Sequence, residues 1–393
     1  MLKELHLNNW KSFTDSIFFI DELTFVIGTN ASGKSNLLDA FYCLSRLAQG
    51  KSINEVVNGI RGGQDWFVRD GENKVSLGIV AAQDFESASY LYEISFEKRK
   101  GGIEIVSESL TNQKNGKQLI WTTPVQEGDP TIATRFYTAK RGKPRRIDLG
   151  RTSSILFQID SLNILKEIKL AASVVCQNLT NIFILNPIPN NMRGYAPLAT
   201  SLAEDASNIA GVLAGMDESK KELVEGILSK YLRPLPERDI NKVWAETVGR
   251  FGKDAMLYCE EEWIEGQKTI IDSRGMSDGT LRFIAIVTAL MTMAEGSLLI
   301  VEEVDNGLHP SRVKELIDML HTLGHEKNID VLCTTHNPTL LDELGGEMIP
   351  YIVYIKRDPV TGGSLVKLLE DKPNLAKLMA NYSTGDLMVE DKL

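Results

Sequence analysis

Gly28-Thr29-Asn30-Ala31-Ser32-Gly33-Lys34-Ser35 is the stretch from which the rest of the chain can be read. It fits GxxxxGK[ST], and each fixed position has a physical reason. Glycines let the backbone wrap closely enough for N–H groups to converge on phosphate oxygens. The lysine can reach the β- and γ-phosphates, and the hydroxyl after it can ligate Mg²⁺. The flanking residues agree. Leu23–Ile27 is an apolar, β-rich run that reads as a strand ending at Gly28. Over Lys34–Ala48, Leu37, Leu38, Phe41, Leu44 and Leu47 recur at helical spacing. A helix there turns its positive N-terminal end toward the anion. Ala31, Ser32, Gly33, Lys34 and Ser35 are therefore expected to hold a nucleoside triphosphate, with Ser35 on Mg²⁺.

Two later strands end in chemistry that such a loop needs. Leu298-Leu299-Ile300-Val301-Glu302-Glu303 is a buried-type apolar run closed by two acids. At the carboxyl edge of a parallel sheet, one acid (Glu302) can hold Mg²⁺, and its neighbour (Glu303) can orient and deprotonate an attacking water. Cys333-Thr334-Thr335-His336 closes the next apolar strand, where His336 can hydrogen-bond the γ-phosphate or that water. Between the loop and these strands, Ser273-Arg274-Gly275-Met276-Ser277-Asp278-Gly279-Thr280-Leu281-Arg282 precedes a helix predicted over Leu281–Met293. Ser277 suits a cap of that helix region, and Gly279 permits close backbone approach to an anion.

The rest of the chain is read for organisation. Leu2–Leu7, Ser16–Ile20, Lys74–Ala82, Tyr90–Lys98 and Ile103–Leu110 read as strands, and residues 111–150 as polar and turn-rich with little periodicity. From Ser153 to Asn181 and from Leu202 to Trp244 the pattern is helical, interrupted by Asn186-Pro187-Ile188-Pro189 and by Pro234 and Pro236. Strands are expected again over Met256–Glu265, Ser297–Val301, Val331–Thr334 and Tyr351–Arg357, and a helix over Pro310–Leu323. This predicts three parts. Residues 1–150 carry the loop and an antiparallel β subdomain, 151–255 form a helical lobe, and 256–393 carry the acidic strand and His336.

Composition narrows the function classes. The 393 residues are 43% hydrophobic and 24% charged, a globular balance. No apolar run approaches the roughly 18–20 residues that cross a bilayer, and the start, MLKELHLNNWKSF, lacks the apolar core of a secretory signal. Cys43, Cys176, Cys259 and Cys333 lie far apart with no CxxC pair, which speaks against a zinc site and fits a reducing cytosol. A cytoplasmic protein without membrane contact is expected. The net charge is −10, yet Arg135–Arg151 holds Arg135, Lys140, Arg141, Lys143, Arg145, Arg146 and Arg151 against Asp148 alone. That run is a candidate contact for nucleic acid or an acidic partner.

Taken in order, the loop, Ser277-Asp278-Gly279-Thr280, the acidic strand and Thr335-His336-Asn337-Pro338 resemble the RecF/SMC-like branch of the ATP-binding cassette (ABC) ATPases, particularly its OLD-related "AAA family" members. Leu5–Phe13 is similar to the branch's opening strand and turn. Asn30 and Asn36 match its form of the phosphate loop, and Asn306-Gly307-Leu308-His309-Pro310 its D-loop. Ala203-Glu204-Asp205-Ala206-Ser207-Asn208-Ile209 matches a recurring stretch of the helical lobe. Glu302 stands where the branch has aspartate and Val304 where it has proline, and Gln64 is the nearest candidate for its Q-loop glutamine.

The resemblance implies an α/β P-loop NTPase of the ABC-ATPase type, a mixed sheet flanked by helices with an antiparallel β subdomain and an inserted helical lobe. It implies ATP and Mg²⁺ as cofactors, Lys11, Ser12 and Phe13 near the nucleotide, and Ser277 and Gly279 contacting the nucleotide of a second copy. ATP would then join two heads head to tail, and hydrolysis driven by Glu303 would release them. Only 241 residues lie between Ser35 and Ser277, too few for a long SMC coil, and 57 follow His336, too few for the Toprim nuclease of OLD proteins. The expectation is a bare ATPase forming a homodimer or higher oligomer, with a separately encoded effector such as a nuclease. It would be the sensor or regulator of an anti-phage defence or DNA-maintenance system. The alternatives are a RecF-type DNA-binding repair ATPase and a non-hydrolysing scaffold.

Overall fold

A computed structural model describes residues 1–84, 86–139, 142–233, 240–264, 266–308 and 312–390. The chain divides into two compact units. The first comprises Met1–Asp21, Ile27–Ile182 and Val353–Lys367; the second comprises Glu22–Val26, Phe183–Ile352 and Leu368–Leu393. The boundary drawn at residue 150 lies inside the first unit, and that at 255 inside the second.

The first unit is built on an eight-stranded antiparallel sheet. Its spatial order is Asp15–Phe19, Leu2–Asn8, Lys74–Ala81, Tyr90–Arg99, Gly102–Asn112, Lys117–Thr122, Thr131–Phe136 and Arg145–Gly150. The first five match the strands read from alternation to within two residues. The last three fall in the stretch expected to be turn-rich, and that expectation is corrected. Each of the three is six residues long and buries only one to three side chains, among them Ile120, Ile132, Phe136 and Leu149. With outward positions such as Arg145, Arg146 and Asp148, no window is apolar enough to stand out. Edge-to-face contacts of Trp10 with Phe67 (5.0 Å) and of Phe67 with Phe96 (5.2 Å) mark the core. Helix Lys34–Ala48 buries Leu37, Leu38, Phe41, Leu44 and Leu47, the set its spacing predicted.

In the second unit, strands Ile182–Leu185, Leu298–Val301, Asp330–Thr335 and Leu23–Ile27 lie side by side in that order. Leu298–Val301 and Asp330–Thr335 pair in parallel, with Val301 opposite Cys333. All four residues of Leu298–Val301 are buried, as a strand covered on both faces requires. Helix Asp278–Thr292 buries twelve of its fifteen residues, and helix Val313–Lys327 ends on Asn328, whose φ of 51° supplies a left-handed cap.

The helical reading of Leu202–Trp244 holds for Ile209–Ala214 and Glu218–Leu232 and fails beyond. Ile240–Val248 is a strand, paired antiparallel with Asp254–Ile264, which also pairs with Gln267–Asp272 and Ala196–Pro197. Val243 and Ala245 alternate inward there, while Trp244 stacks on its cross-strand partner Tyr258 at 5.9 Å. Pro234 and Pro236, taken as interruptions, lie outside the described residues, as do Pro310 at the start of one predicted helix and Glu265 at the end of one predicted strand. Among the described residues, no helix is long and apolar enough to cross a membrane.

Candidate nucleotide and hydrolysis sites

In the first unit the phosphate loop, which follows strand Leu23–Ile27 in the chain, runs into helix Lys34–Ala48, whose N-cap Gly33 offers no side-chain cap. The first N–H groups of the helix are thus left without a capping side chain, as an anion site needs. Gly33 has φ of 122°, and a Cβ there would collide with Ser364 Oγ, so the residue can only be glycine. Ala31 sits in the left-handed region at φ 64°. Lys34 Nζ donates to the carbonyls of Gly28 (2.5 Å) and Thr29 (3.2 Å), closing the loop on itself. Ser32 is buried, its N–H turned onto Thr29 O at 3.2 Å, and its hydroxyl has no hydrogen-bond partner. Asn30 is exposed in the loop, and Ser35 is the second residue of the helix.

The N-terminal turn meets this loop through Ser12 and through Trp10, whose Nε1 donates to Asn36 O at 2.7 Å. Ser12 Oγ accepts from Asn36 Nδ2 at 2.8 Å and lies 2.8 Å from Ser364 Oγ. Lys11 is committed elsewhere: its ammonium donates to Asp39 and to Arg61 O (2.8 Å), and burial lowers its pKa. The Phe13 ring is fully buried in the core. These two shape the turn, and Lys11 also borders a cleft of about 650 Å³ beside the loop. Arg61, Trp66, Arg69 and Arg357 line that cleft too. None was singled out from sequence, because isolated basic or aromatic residues in loops carry no periodic or motif signal. Gln64 lies next to Trp66, in the short 3₁₀ turn Gly63–Trp66.

The second unit brings the acidic strand end and the histidine together. Glu303 takes φ of 49°, and its N–H donates to Thr334 Oγ1 at 3.0 Å. Its carboxylate accepts from Asn306 Nδ2 (3.3 Å) and faces His336 Nδ1 at 3.5 Å. Both side chains are nearly half exposed. Glu302 is half-buried, its N–H on Leu185 O at 3.3 Å. Asp305, which sequence reading passed over, is buried and accepts from Thr335 Oγ1 at 2.6 Å. A carboxylate held by an amide and facing an imidazole at a solvent-facing strand end has the geometry of a general base.

Ser277 caps helix Asp278–Thr292, its hydroxyl accepting from Thr280 N at 3.1 Å. Gly279 packs against the Gly307 carbonyl, which would sit 2.5 Å from a Cβ at position 279. Arg193, another residue without a sequence signal, donates to Met276 O (2.9 Å) and Asp278 Oδ1 (2.7 Å) and so pins the segment from both sides of Ser277. The Ala203–Ile209 stretch forms a turn in which Asp205 accepts from Asn191 and from Ser207 N. His309 and Pro310 of the proposed D-loop lie outside the described residues.

The basic run is only partly a surface. Lys140 and Arg141 lie outside the described residues. Arg151 is buried, donating to Ile105 O (3.0 Å), Asp129 O (2.7 Å) and Glu104 (2.6 Å). Arg135 is half-buried, while Lys143, Arg145 and Arg146 are exposed, the last paired with Asp148 at 3.2 Å. The expectation for Arg151 is corrected: its charge is spent inside the sheet.

Comparisons with known proteins point to ATPase domains and to the SMC-head fold. Residues 1–167 match the family described as "AAA ATPase domain", and 219–342 match "AAA domain, putative AbiEii toxin, Type IV TA system". The DNA replication and repair protein RecF of Macrococcus caseolyticus (strain JCSC5402) is 26% identical over 194 residues, 47% of this chain and 49% of that protein. The chain thus spans about half the length of the curated relative it matches. Among solved structures, an Smc head bound to the C-terminal winged-helix domain of ScpA is similar over 93% of this chain and 97% of its own, with a TM-score of 0.53 at 14% identity. An Smc head with an extended coiled coil, bound to the C-terminal domain of ScpA derived from Pyrococcus furiosus, is similar over 97% and 99%, with a TM-score of 0.50 at 12% identity. The chain thus has the α/β fold of the SMC heads, matches AAA ATPase domain families over two separate stretches, and resembles the RecF/SMC-like ATPases of the ABC type.

Proposed function

We propose that the protein binds ATP on the 28–36 loop, with Ser12 at its edge, and hydrolyses it with Glu303 as general base. Two copies associate head to tail when ATP is present. The observation that supports hydrolysis is the cluster of Glu303 with His336 and Asn306 at the ends of adjacent parallel strands. Asn306 holds one carboxylate oxygen, His336 faces the other, and the nearly half-exposed carboxylate can take a proton from water. Ser35 and Glu302 offer a hydroxyl and a carboxylate, the hard oxygen donors that Mg²⁺ takes together with phosphates. When bound, Mg²⁺ neutralises phosphate charge. Ser277 and Gly279 act on the nucleotide of the second copy, so ATP is the differential contact between the separate and the joined state.

The biological role we infer is that of a cytoplasmic sensor or regulator in a prokaryotic anti-phage defence or DNA-maintenance system, with a separately encoded effector. The match to RecF favours a second reading, a repair ATPase that binds DNA directly. The deciding measurement is the solution mass of Glu303→Gln with and without Mg·ATP, beside Glu303→Gln carrying Ser277→Arg. Doubling in the first and not in the second is expected. A mass indifferent to ATP in both would overturn head-to-tail association and leave a scaffold that uses the nucleotide structurally.

A further inference from the structure

Two carbonyls of the phosphate loop are taken by a hairpin from far along the chain. Arg357 Nε donates to Ala31 O at 2.9 Å while its Nη1 donates to Gly362 O at 2.8 Å, so one guanidinium ties the loop to the hairpin's own turn. Ser364 Oγ donates to Ser32 O at 2.5 Å, and Ser364 N donates to Ser12 O at 2.8 Å. Arg357 is exposed and Ser364 fully buried. Neither belongs to a phosphate-binding motif.

Peptide geometry gives these contacts a consequence. In a planar trans peptide the C=O and the following N–H point to opposite sides. Holding Ala31 O toward Arg357 turns the Ser32 N–H the other way, onto Thr29 O at 3.2 Å, which fixes the turn of the loop. Holding Ser32 O toward Ser364 likewise turns the Gly33 N–H away from Ser364, at the mouth of the helix. Ala31 needs such a hold, because a left-handed φ of 64° is uncommon for a residue with a Cβ. Gly33 in turn must lack a Cβ because Ser364 Oγ occupies that space. The loop and the hairpin therefore specify one another.

We propose that Arg357 and Ser364 are positioning residues for triphosphate binding, fixing the peptide planes at Ala31–Ser32 and Ser32–Gly33 so that the loop keeps its Ser32 N–H to Thr29 O turn and presents the Gly33 amide to the phosphates. This rests on the reading of the loop as a nucleotide site. Neither side chain touches the ligand in this role, and both act through backbone carbonyls.

The test is calorimetric titration of the full chain with Mg·ATP and with inorganic tripolyphosphate, which has phosphates but no base or sugar. Arg357→Lys keeps the charge but loses the planar fork by which Nε and Nη1 hold the two carbonyls in fixed directions; Ser364→Ala removes the hydroxyl. Each is expected to weaken both ligands by the same factor, about three- to tenfold for one hydrogen bond. Wild-type affinity in Arg357→Lys would show that only the charge matters and overturn the proposal. A loss for ATP alone, with tripolyphosphate unchanged, would also overturn it, since Arg357 would then touch the base or sugar from the adjoining cleft. Should Ser364→Ala fail to melt cooperatively, the exposed Arg357 carries the test alone. Lys34→Ala separates the two readings. If it binds like wild type, the nucleotide site falls and this proposal with it. If it loses binding while both hairpin variants keep it, the positioning role alone falls.

Discussion

His336 Nδ1 stands 3.5 Å from Glu303 Oε1, across the ends of strands that pair in parallel with Val301 opposite Cys333. The pairing register sets this distance, since each residue follows its strand by one or two positions beyond Val301 and Thr335. Glu303 reaches it with φ of 49°, a left-handed conformation that turns the carboxylate back toward Asn306 and His336. Strain of this kind, held by Thr334 Oγ1 on the Glu303 N–H, is the sort of feature that gathers at catalytic positions.

Glu303→Gln should lower steady-state phosphate release by about 10²–10⁴-fold while Mg·ATP still binds. His336→Ala should cost less, because the base survives without its neighbour. Quantifying phosphate release at saturating ATP checks both. An unchanged rate in Glu303→Gln would remove it as the base and favour the scaffold reading.

Gly279→Ala would drive a methyl against the Gly307 carbonyl, 2.5 Å from the Cβ position. The nearest atoms are those of the Gly307 carbonyl, which is backbone and cannot swing aside as a side chain could. The expected result is a lower denaturation midpoint together with weaker ATP-dependent association, read by solution mass. Ser277→Ala, which removes the cap to Thr280 N and the contact with Thr280 Oγ1, should cost about 1 kcal/mol of stability.

Glu108 gives a pH signature to the first unit. It is buried and accepts from the Tyr92 hydroxyl, from Ser154 Oγ (3.0 Å) and from Ile155 N (3.0 Å). Burial pushes its carboxyl up from 4.5 to about 7, against those three donors. The folded chain then holds this proton more tightly than the unfolded chain. The contribution to stability is full below about 4.5 and is lost as pH rises through about 7, by about 3 kcal/mol at most. Glu108→Gln should flatten the fall in melting temperature between pH 5 and 7. Parallel curves for the two proteins would rule the group out.

What the sequence made legible was local chemistry and long periodicity. The loop 28–35, helix 34–48 and the acidic end of strand 298–301 are each contiguous, and each was placed within a residue of where it lies. Strands 117–122, 131–136 and 145–150 were missed because their inward side chains are too few to form a pattern, and they are held by pairing with neighbours rather than by propensity. Ile240–Val248 was misread because a Trp and two Val in a mixed window fit either period until Tyr258 is known to lie opposite Trp244. Arg193, Arg357 and Ser364 were invisible for another reason. They act on backbone carbonyls brought near by folding, and a carbonyl leaves no trace in sequence.

The basic edge of the sheet separates the two biological readings. Arg145 and Arg146 sit on the edge strand Arg145–Gly150 and are exposed, whereas Arg151 is buried on Glu104 and three backbone carbonyls. Under the RecF-type reading, the double reversal Arg145→Glu with Arg146→Glu should weaken DNA binding and reduce the salt slope of log K by about 2, one per lost phosphate contact. Its melting temperature should stay near wild type, because neither guanidinium is part of the core. Arg151→Ala should do the opposite. Leaving Glu104 without this partner and three carbonyls without their donor costs about 3 kcal/mol, while any DNA affinity of the surviving folded fraction is unchanged. Fluorescence anisotropy across a salt series, beside thermal melts of the same samples, resolves the two. Binding that ignores the double reversal would take the DNA contact away from this edge and leave the sensor with a separate effector as the stronger reading.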